Sequence, residues 1–297
     1  MTELCMKGVS GWSPLGWMCQ PAYIPKGYRV GEGPRGETSP GGSSTGSAVG
    51  VACGFAPISV GTETYGTVAT PAAAASLYSL KLTPGTFGKT ALDVALACDA
   101  LATSYEGPTL ASFVSSMKFE DVSVGFVDLK KWRLPAHIQK FGPKYFEQID
   151  REYKQAKDML RESGVRVFDV WLTPPEEYMV DGMFINSLMR KIMSVSVAAR
   201  YPMAEIPLGY IESSGRPYGL QAIAKAHQEP KLVKFMAACE RVFPRRRSWL
   251  QESLVDAEKR GFARRVLNKG TTTISMRQPH RASISRGRER GSKTCFC

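Results

Sequence analysis

The sequence predicts an α/β fold with helices on both faces of one sheet. Residues 122–128 (VSVGFVD) and 165–172 (VRVFDVWL) are rich in the β-branched residues typical of strands. Between them, residues 144–164 carry apolar side chains at spacings of three and four and end at a glycine, which indicates an amphipathic helix. A strand, a helix and a strand in this order usually form two parallel strands. The same mixture continues along the 297 residues and favours the α/β class.

The remaining elements follow from apolar patterning. Small residues at the start of 47–60 suit a closely packed buried helix, and APISVG within and just after this range suits a short buried strand. Residues 91–103 are apolar on most faces, as a buried helix is. Two further strands are predicted at 203–209 and 217–226, and two further helices at 176–200 and 229–243.

Net charge divides the chain into two regions. The formal charge is +12, but residues 241–297 hold 15 Lys and Arg against 4 Asp and Glu, while residues 1–240 hold 24 against 23. From Asn268 onward there are too few large apolar residues to offset the entropy of ordering. We therefore predict a globular domain over 1–267 and a basic, disordered tail over 268–297. No nucleic acid is expected on the globular part, because its charges balance.

Composition disfavours several other classes of protein. No apolar run approaches the ~18 residues that suggest a transmembrane helix, and the N-terminus lacks the pattern of a secretory signal. Seven scattered cysteines suit free thiols in a reducing compartment, so we expect a cytoplasmic protein. We predict no metal and no cofactor; the glycine-rich stretch at 40–50 lacks the spacings of a phosphate-binding loop and of a dinucleotide-binding turn. The sequence leaves the oligomeric state open.

Two loops rich in glycine and hydroxyl side chains are the candidate functional features. PGGSSTGSAVG spans 40–50, and GTETYGTVATPAAA spans 61–74. The first loop alone is explained by a structural turn or by an anion cradle. Because both loops bracket one predicted helix and strand, we expect their hydroxyl groups to meet in space.

With both loops considered together, residues 41–83 resemble the amidase signature family. The resemblance extends upstream over 10–29, which looks like fungal members, and downstream over 201–209 and 215–244. It implies a mixed β-sheet sandwiched between helices and hydrolysis of carboxamide C–N bonds. In that family a serine nucleophile attacks the carbonyl, a second serine on a cis peptide bond relays the proton, and a lysine is the base. Backbone N–H groups stabilise the oxyanion.

The resemblance assigns roles to five residues. Ser43 stands at the relay position and Thr67 at the nucleophile position. Thr64, Tyr65 and Gly66 stand where backbone N–H groups would bind the substrate oxyanion. The implied partner is a small or lipid-like carboxamide substrate.

The sequence departs from the family pattern at several positions. Thr67 replaces a serine; threonine can be a nucleophile, but its methyl group crowds the attack. Tyr65 stands where a small residue is usual, and Glu63 stands where aspartate is usual. The lysine base should lie well upstream of the first loop, and neither Lys7 nor Lys26 has its context. We therefore expect the family's lysine to be missing.

Two pieces of the family fold are also expected to be absent. The chain would be incomplete at its N-terminus, and only TFGK (86–89) intervenes where the family has a strand and a loop. We therefore expect a family member whose hydrolytic activity is impaired. The alternatives are a non-catalytic degenerate member or truncated gene model, and a nucleic-acid or membrane binder acting through its basic tail.

Overall fold

The fold is given by a computed structural model, which describes residues 10–32, 36–64, 66–82, 84–102, 107–129, 143–171, 179–180, 183–184, 196 and 199–248.

A five-stranded antiparallel sheet forms the centre of the molecule. Its strands are β3 (Ile58–Thr62), β4 (Tyr78–Lys81), β5 (Pro84–Gly88), β10 (Met203–Tyr210) and β11 (Pro217–Ile223), in the order β11–β10–β4–β5–β3. The shorter strands are β1 (Trp12–Ser13), β2 (Trp17–Met18), β6 (Ser123–Val127), β7 (Arg166–Val170), β8 (Met179–Val180) and β9 (Met183–Phe184).

Six α-helices accompany these strands in the described ranges. They are α1 (Thr45–Ala52), α2 (Ala69–Ala74), α3 (Ala91–Leu101), α4 (Leu110–Ser115), α5 (Pro143–Glu162) and α6 (Glu229–Val242). The helices predicted after residue 47 and at 91–103, 144–164 and 229–243 are therefore confirmed, as are the strands predicted at 203–209 and 217–226, with the last ending at Ile223. No helix in these ranges has the length and apolarity that a membrane crossing requires.

The central sheet is covered by helices on both faces, as predicted. Because side chains alternate along a strand, Leu80 and Phe87 face opposite ways. Leu80 lies in a buried cluster with residues of α3 and α6. Phe87 packs with α1 and with Val68 and Ala72 of the α2 region. The helices α1 and α2, which follow the two candidate loops, therefore share one face of the sheet.

The predicted strand–helix–strand unit is confirmed, and its two strands are parallel. Ser123 pairs with Arg166 and Val127 with Val170 along β6 and β7. The structure differs from the single predicted sheet, because in the described ranges β6 and β7 form a separate two-stranded sheet. A cavity of about 730 Å³, lined by residues of β6 and β11, lies between the two sheets. The sequence pattern predicts that these two strands pair in parallel, but it does not predict whether the pair joins the central sheet.

Two further sequence-based expectations concern residues 176–200 and 86–89. The helix predicted at 176–200 is wrong at Met179–Val180 and Met183–Phe184, which are paired strands; most of that range lies outside the described residues. The intervening residues are Asp-Gly, a hairpin signal that outweighs apolar spacing. Most of the TFGK stretch at 86–89 belongs to β5, which pairs with β4 on one side and β3 on the other, and the deletion of a family segment next to it stays a prediction. The tail at 268–297 lies outside the described residues.

The start of α3 is fixed by a capping box. The Thr90 hydroxyl accepts a hydrogen bond from the Asp93 N–H at 3.0 Å, and the Asp93 carboxylate accepts one from the Thr90 N–H at 3.0 Å. Each bond satisfies a backbone donor that the first helical turn leaves without a partner.

Replacement of this cap should lower stability measurably. We expect Thr90→Ala to reduce the free energy of unfolding by about 1 kcal/mol, because the Asp93 N–H loses its acceptor. Urea denaturation followed by circular dichroism measures the difference. Thr90→Ser keeps the hydroxyl and should lie much closer to the wild type; equal losses in both variants would contradict a capping role.

Candidate active site

The first candidate loop approaches the chain around α2 very closely. Gly41 has a φ of +74°, and a Cβ there would lie 2.9 Å from the Pro71 nitrogen. A side chain at this position would therefore be strained and would also push α2 away. The Gly42–Ser43 peptide bond is cis, at the position where the resemblance implies a cis serine. The Thr45 hydroxyl donates to the Gly41 carbonyl and joins the loop to the start of α1.

The second candidate loop is organised by the carboxylate of Glu63. Its Oε1 accepts from the Thr67 N–H at 2.9 Å, and its Oε2 accepts from the N–H groups of Val68 and Ala69 at 2.6 and 3.1 Å. These three donors lie at the start of α2, where backbone N–H groups have no partners within the helix. A negative charge is favourable there. Glu63 therefore fixes the backbone on which Thr67 is placed.

The two loops meet through Ser44. Its N–H donates to the Thr67 carbonyl at 3.1 Å, and its hydroxyl accepts from the Thr62 N–H at 3.2 Å. Gly61 makes this approach possible, because a Cβ there would lie 2.5 Å from the Ser44 hydroxyl oxygen. The expectation that the two loops converge is thus met, and Ser43 is carried to the same place as the neighbour of Ser44.

The predicted site residues differ in exposure. Thr67 is buried, with 8% of its surface exposed, and Gly66 is also buried. Ser43 is half-buried and Thr64 is exposed. Tyr65 lies outside the described residues. The structure therefore brings Ser43, Thr64, Gly66 and Thr67 together, while their catalytic and substrate-binding roles stay predictions.

The Thr67 hydroxyl is engaged by backbone groups of its own loop. It donates to the Thr62 carbonyl and accepts from the Thr64 N–H at 3.2 Å. The N–H that we predicted for oxyanion binding thus points to the Thr67 side chain. No lysine in the described ranges hydrogen-bonds to the Thr67 hydroxyl, and the loss of the family's base stays a prediction.

Comparison with known proteins identifies this architecture. The Amidase family model matches residues 34–104, which include both candidate loops. The native peptide amidase of Stenotrophomonas maltophilia has the same fold, with a TM-score of 0.60 and 18% identity over 82% of this chain and 72% of that chain. The chain therefore shares the fold of a peptide amidase, and its residues 34–104 match the Amidase family.

Relatives in this family are longer than the matched region. A glutamyl-tRNA(Gln) amidotransferase protein of Francisella tularensis subsp. mediasiatica is 35% identical over 150 residues, covering 41% of this chain and 31% of the relative. The chain thus spans about a third of the length of the curated relatives it matches. The crystal structure of the corresponding Thermotoga maritima amidotransferase protein aligns with a TM-score of 0.55 and 15% identity, over 72% of this chain and 68% of that chain.

Two buried ionisable residues near this site were missed by the sequence analysis. Lys81 is 8% exposed, and its ammonium group donates to the carbonyls of Ser196 and Tyr201 at 3.3 and 3.1 Å. Burial lowers the pKa of Lys81, and the negative charge of Glu63 partly opposes this shift. Lys81 therefore belongs to the buried layer behind the second loop.

Glu205 is the second such residue and is almost fully buried in the central sheet, at 1% exposure. Burial raises its pKa well above the usual value; a hydrogen bond with Gln221 opposes the shift and the charge of Glu63 adds to it. Its Oε2 has no hydrogen-bond partner among the described residues. Alternation along β4 and β10 puts Lys81 and Glu205 on the face that carries α2. The strand register that aligns them could not be predicted from the sequence.

The Glu63 carboxylate should be essential to the geometry of the second loop. Glu63→Gln leaves one oxygen for three N–H donors and turns an amide N–H₂ group toward them, so we expect a loss of about 2 kcal/mol in the free energy of unfolding. Urea denaturation tests this. Glu120→Gln removes an exposed carboxylate elsewhere and should change stability little; similar losses in both variants would argue against this capping role.

Glu205 should make stability depend on pH. Its pKa is raised on folding, so its contribution is fully present below its ordinary pKa of 4.5 and is lost as the pH rises through the folded value. We expect wild-type unfolding free energy to fall more steeply than that of Glu205→Gln above about pH 5, by up to about 1.4 kcal/mol per pH unit.

Urea denaturation at several pH values measures this difference. Because Lys81 is present in both proteins, its own titration largely cancels in the comparison. Glu162→Gln, at an exposed helix end, should follow the wild-type curve. Parallel curves for wild type and Glu205→Gln would contradict a neutral, buried Glu205.

Proposed function

We propose that this chain uses the convergent loops to bind the carbonyl of a small or lipid-like carboxamide, and that its capacity to hydrolyse the C–N bond is strongly impaired. The observation that carries the proposal is the hydrogen bond from the Thr67 hydroxyl to the Thr62 carbonyl. A hydroxyl group becomes a good nucleophile when a neighbouring base removes its proton. A backbone carbonyl is not such a base.

The missing base is expected to outweigh the substitution at the nucleophile. A positioned general base contributes roughly 10²–10⁴-fold to a rate. When catalytic groups act as a unit, losing one can have nearly the effect of losing all. The threonine methyl group adds crowding around the attacking oxygen. Both changes lower the rate of hydrolysis, while neither removes the loops that would hold a carbonyl group.

Ligand binding is supported by the parts of the site that remain. The close approach at Gly41, the Ser44–Thr67 bond and the Glu63 cap each hold the loops in one arrangement. The names of the similar proteins, peptide amidase and glutamyl-tRNA(Gln) amidotransferase, both refer to amide chemistry. A carboxamide is therefore the ligand class that we assign to this chain.

A cytoplasmic location is part of the same proposal. Cys53, Cys98 and Cys239 are free thiols, and the latter two are buried. Burial raises the pKa of Cys98 to about 11, which keeps it protonated and unreactive near neutral pH. Free thiols of this kind suit a reducing compartment.

A fluorophosphonate probe tests whether Thr67 is activated. We expect no labelling of the folded protein, and amide turnover at least 10²-fold below that of the Stenotrophomonas maltophilia peptide amidase run in parallel. Mass spectrometry locates any adduct. Labelling of the wild type that disappears in Thr67→Val would overturn the proposed impairment.

Binding is measured separately from turnover. Ligand-observed NMR with benzamide should give a signal in the wild type that weakens in Gly41→Ala, which displaces the first loop. Gly50→Ala is the matched control, because a Cβ at that helical position meets nothing within 4 Å. If benzamide contacts both variants equally, the loops do not form the amide site.

Any residual hydrolysis should be abolished in Ser43→Ala.

A further inference from the structure

A second pocket lies at the opposite end of α2 from Thr67. Its volume is about 460 Å³, and it is lined by Ser76, by the end of β10, by α5 and by residues 244–247. Thr67 precedes α2 and Ser76 follows it. The helix between them has six residues and is about 9 Å long, given the rise of an α-helix. This pocket therefore has its own set of functional groups.

Two tyrosines hold consecutive arginines in this pocket. The Arg246 guanidinium lies 5.8 Å from the Tyr23 ring centroid and donates through Nε to the Ser76 carbonyl. The Arg247 guanidinium lies 4.4 Å from the Tyr210 ring centroid. The Tyr23 hydroxyl donates to the Arg247 carbonyl at 3.0 Å, and the Arg247 N–H donates to the Tyr210 hydroxyl at 3.0 Å. The backbone and the cations are thus held before any ligand arrives.

The pocket has a surplus of positive charge. Four arginines and two glutamates line it, which gives a formal charge of +2. The two glutamates are already engaged: Glu212 pairs with Arg151 at 2.9 Å, and Glu152 accepts from Gln148 at 2.7 Å. No carboxylate in the described part of the chain lies within ion-pair distance of Arg245 or Arg246.

One guanidinium nitrogen also lacks an acceptor. Arg246 Nη2 is buried and has no hydrogen-bond partner among the described residues. An unsatisfied buried donor is destabilising, and native proteins leave few such groups without a side chain, a water or an ion to accept from them. The Arg246 guanidinium is therefore fixed through Nε, while its Nη2 has no acceptor among the described residues.

We propose that this pocket binds a phosphate dianion. A phosphate group presents several acceptor oxygens in the geometry that arginine forks match, and its charge balances the surplus of +2. Arg245 and Arg246 supply the principal cations, and Arg247 lies at the rim, while Arg151 is already paired with Glu212. Both a free phosphate compound and a lipid headgroup offer this chemistry. The site is separate from the proposed carboxamide site and needs no catalysis.

Titration calorimetry with inorganic pyrophosphate on the full chain, at constant ionic strength, tests the proposal. We expect saturable binding to the wild type and at least tenfold weaker binding to Arg245→Gln/Arg246→Gln, because two charge-assisted contacts are lost. Arg166→Gln/Lys118→Gln removes two exposed cations elsewhere and should bind within twofold of the wild type. No binding to the wild type, or equal loss in both double variants, would overturn the site.

A single substitution separates loss of binding from loss of folding. Arg245 is exposed and makes no side-chain bond with the described residues, so Arg245→Gln should keep the wild-type melting temperature and still weaken binding severalfold. Unchanged affinity in this folded variant would contradict the proposal. Flotation with phosphatidylcholine vesicles carrying phosphatidic acid then identifies the source: binding that Arg245→Gln reduces supports a lipid headgroup, and pyrophosphate binding without flotation supports a free phosphate compound.

Discussion

The contact between Ser44 and the Thr62–Thr67 loop is the constraint on which the rest of the site depends. It joins chain segments that flank α1 and β3, and most of its bonding groups are main-chain groups that any sequence would supply. The specific contribution of the sequence is the absence of side chains where the two loops approach each other. Gly41 and Gly61 lack the Cβ atoms that would collide with Pro71 and with Ser44. The glycines therefore set how closely the hydroxyl groups approach.

The same face of the sheet carries an unusual amount of buried polarity. Ser79, Lys81 and Glu205 all lie there at 8% exposure or less, beneath α2. Burying charged groups is unfavourable unless they are paired or neutralised. Lys81 is satisfied by carbonyl oxygens, whereas the raised pKa of Glu205 favours its neutral form. Stability is thus reduced behind the candidate site, where a fully apolar layer would pack more favourably.

Much of this could be predicted from the sequence, and the failures have physical reasons. The periodicity of α5 and the glycine and hydroxyl content of the two loops are local signals, and both led to correct elements. The register that aligns Lys81 with Met203, and so places Glu205 nearby, depends on pairing between strands far apart in sequence. The stacking of Tyr23 and Tyr210 against the two arginines depends on equally distant contacts. Patterning detects neither, because it describes one segment at a time.

The helix α2 lies between the two proposed sites and is held by contacts at both of its ends. Its N-terminal end is capped by Glu63, which lies a few residues upstream, and its C-terminal end is followed by Ser76, whose carbonyl accepts from Arg246. A carboxylate at the start and a guanidinium at the end both complement the helix dipole. Such a short helix has little intrinsic stability, so these outside contacts maintain it. The position of Thr67 therefore depends partly on a segment near residue 246, and the two proposed sites share a structural support without sharing a ligand.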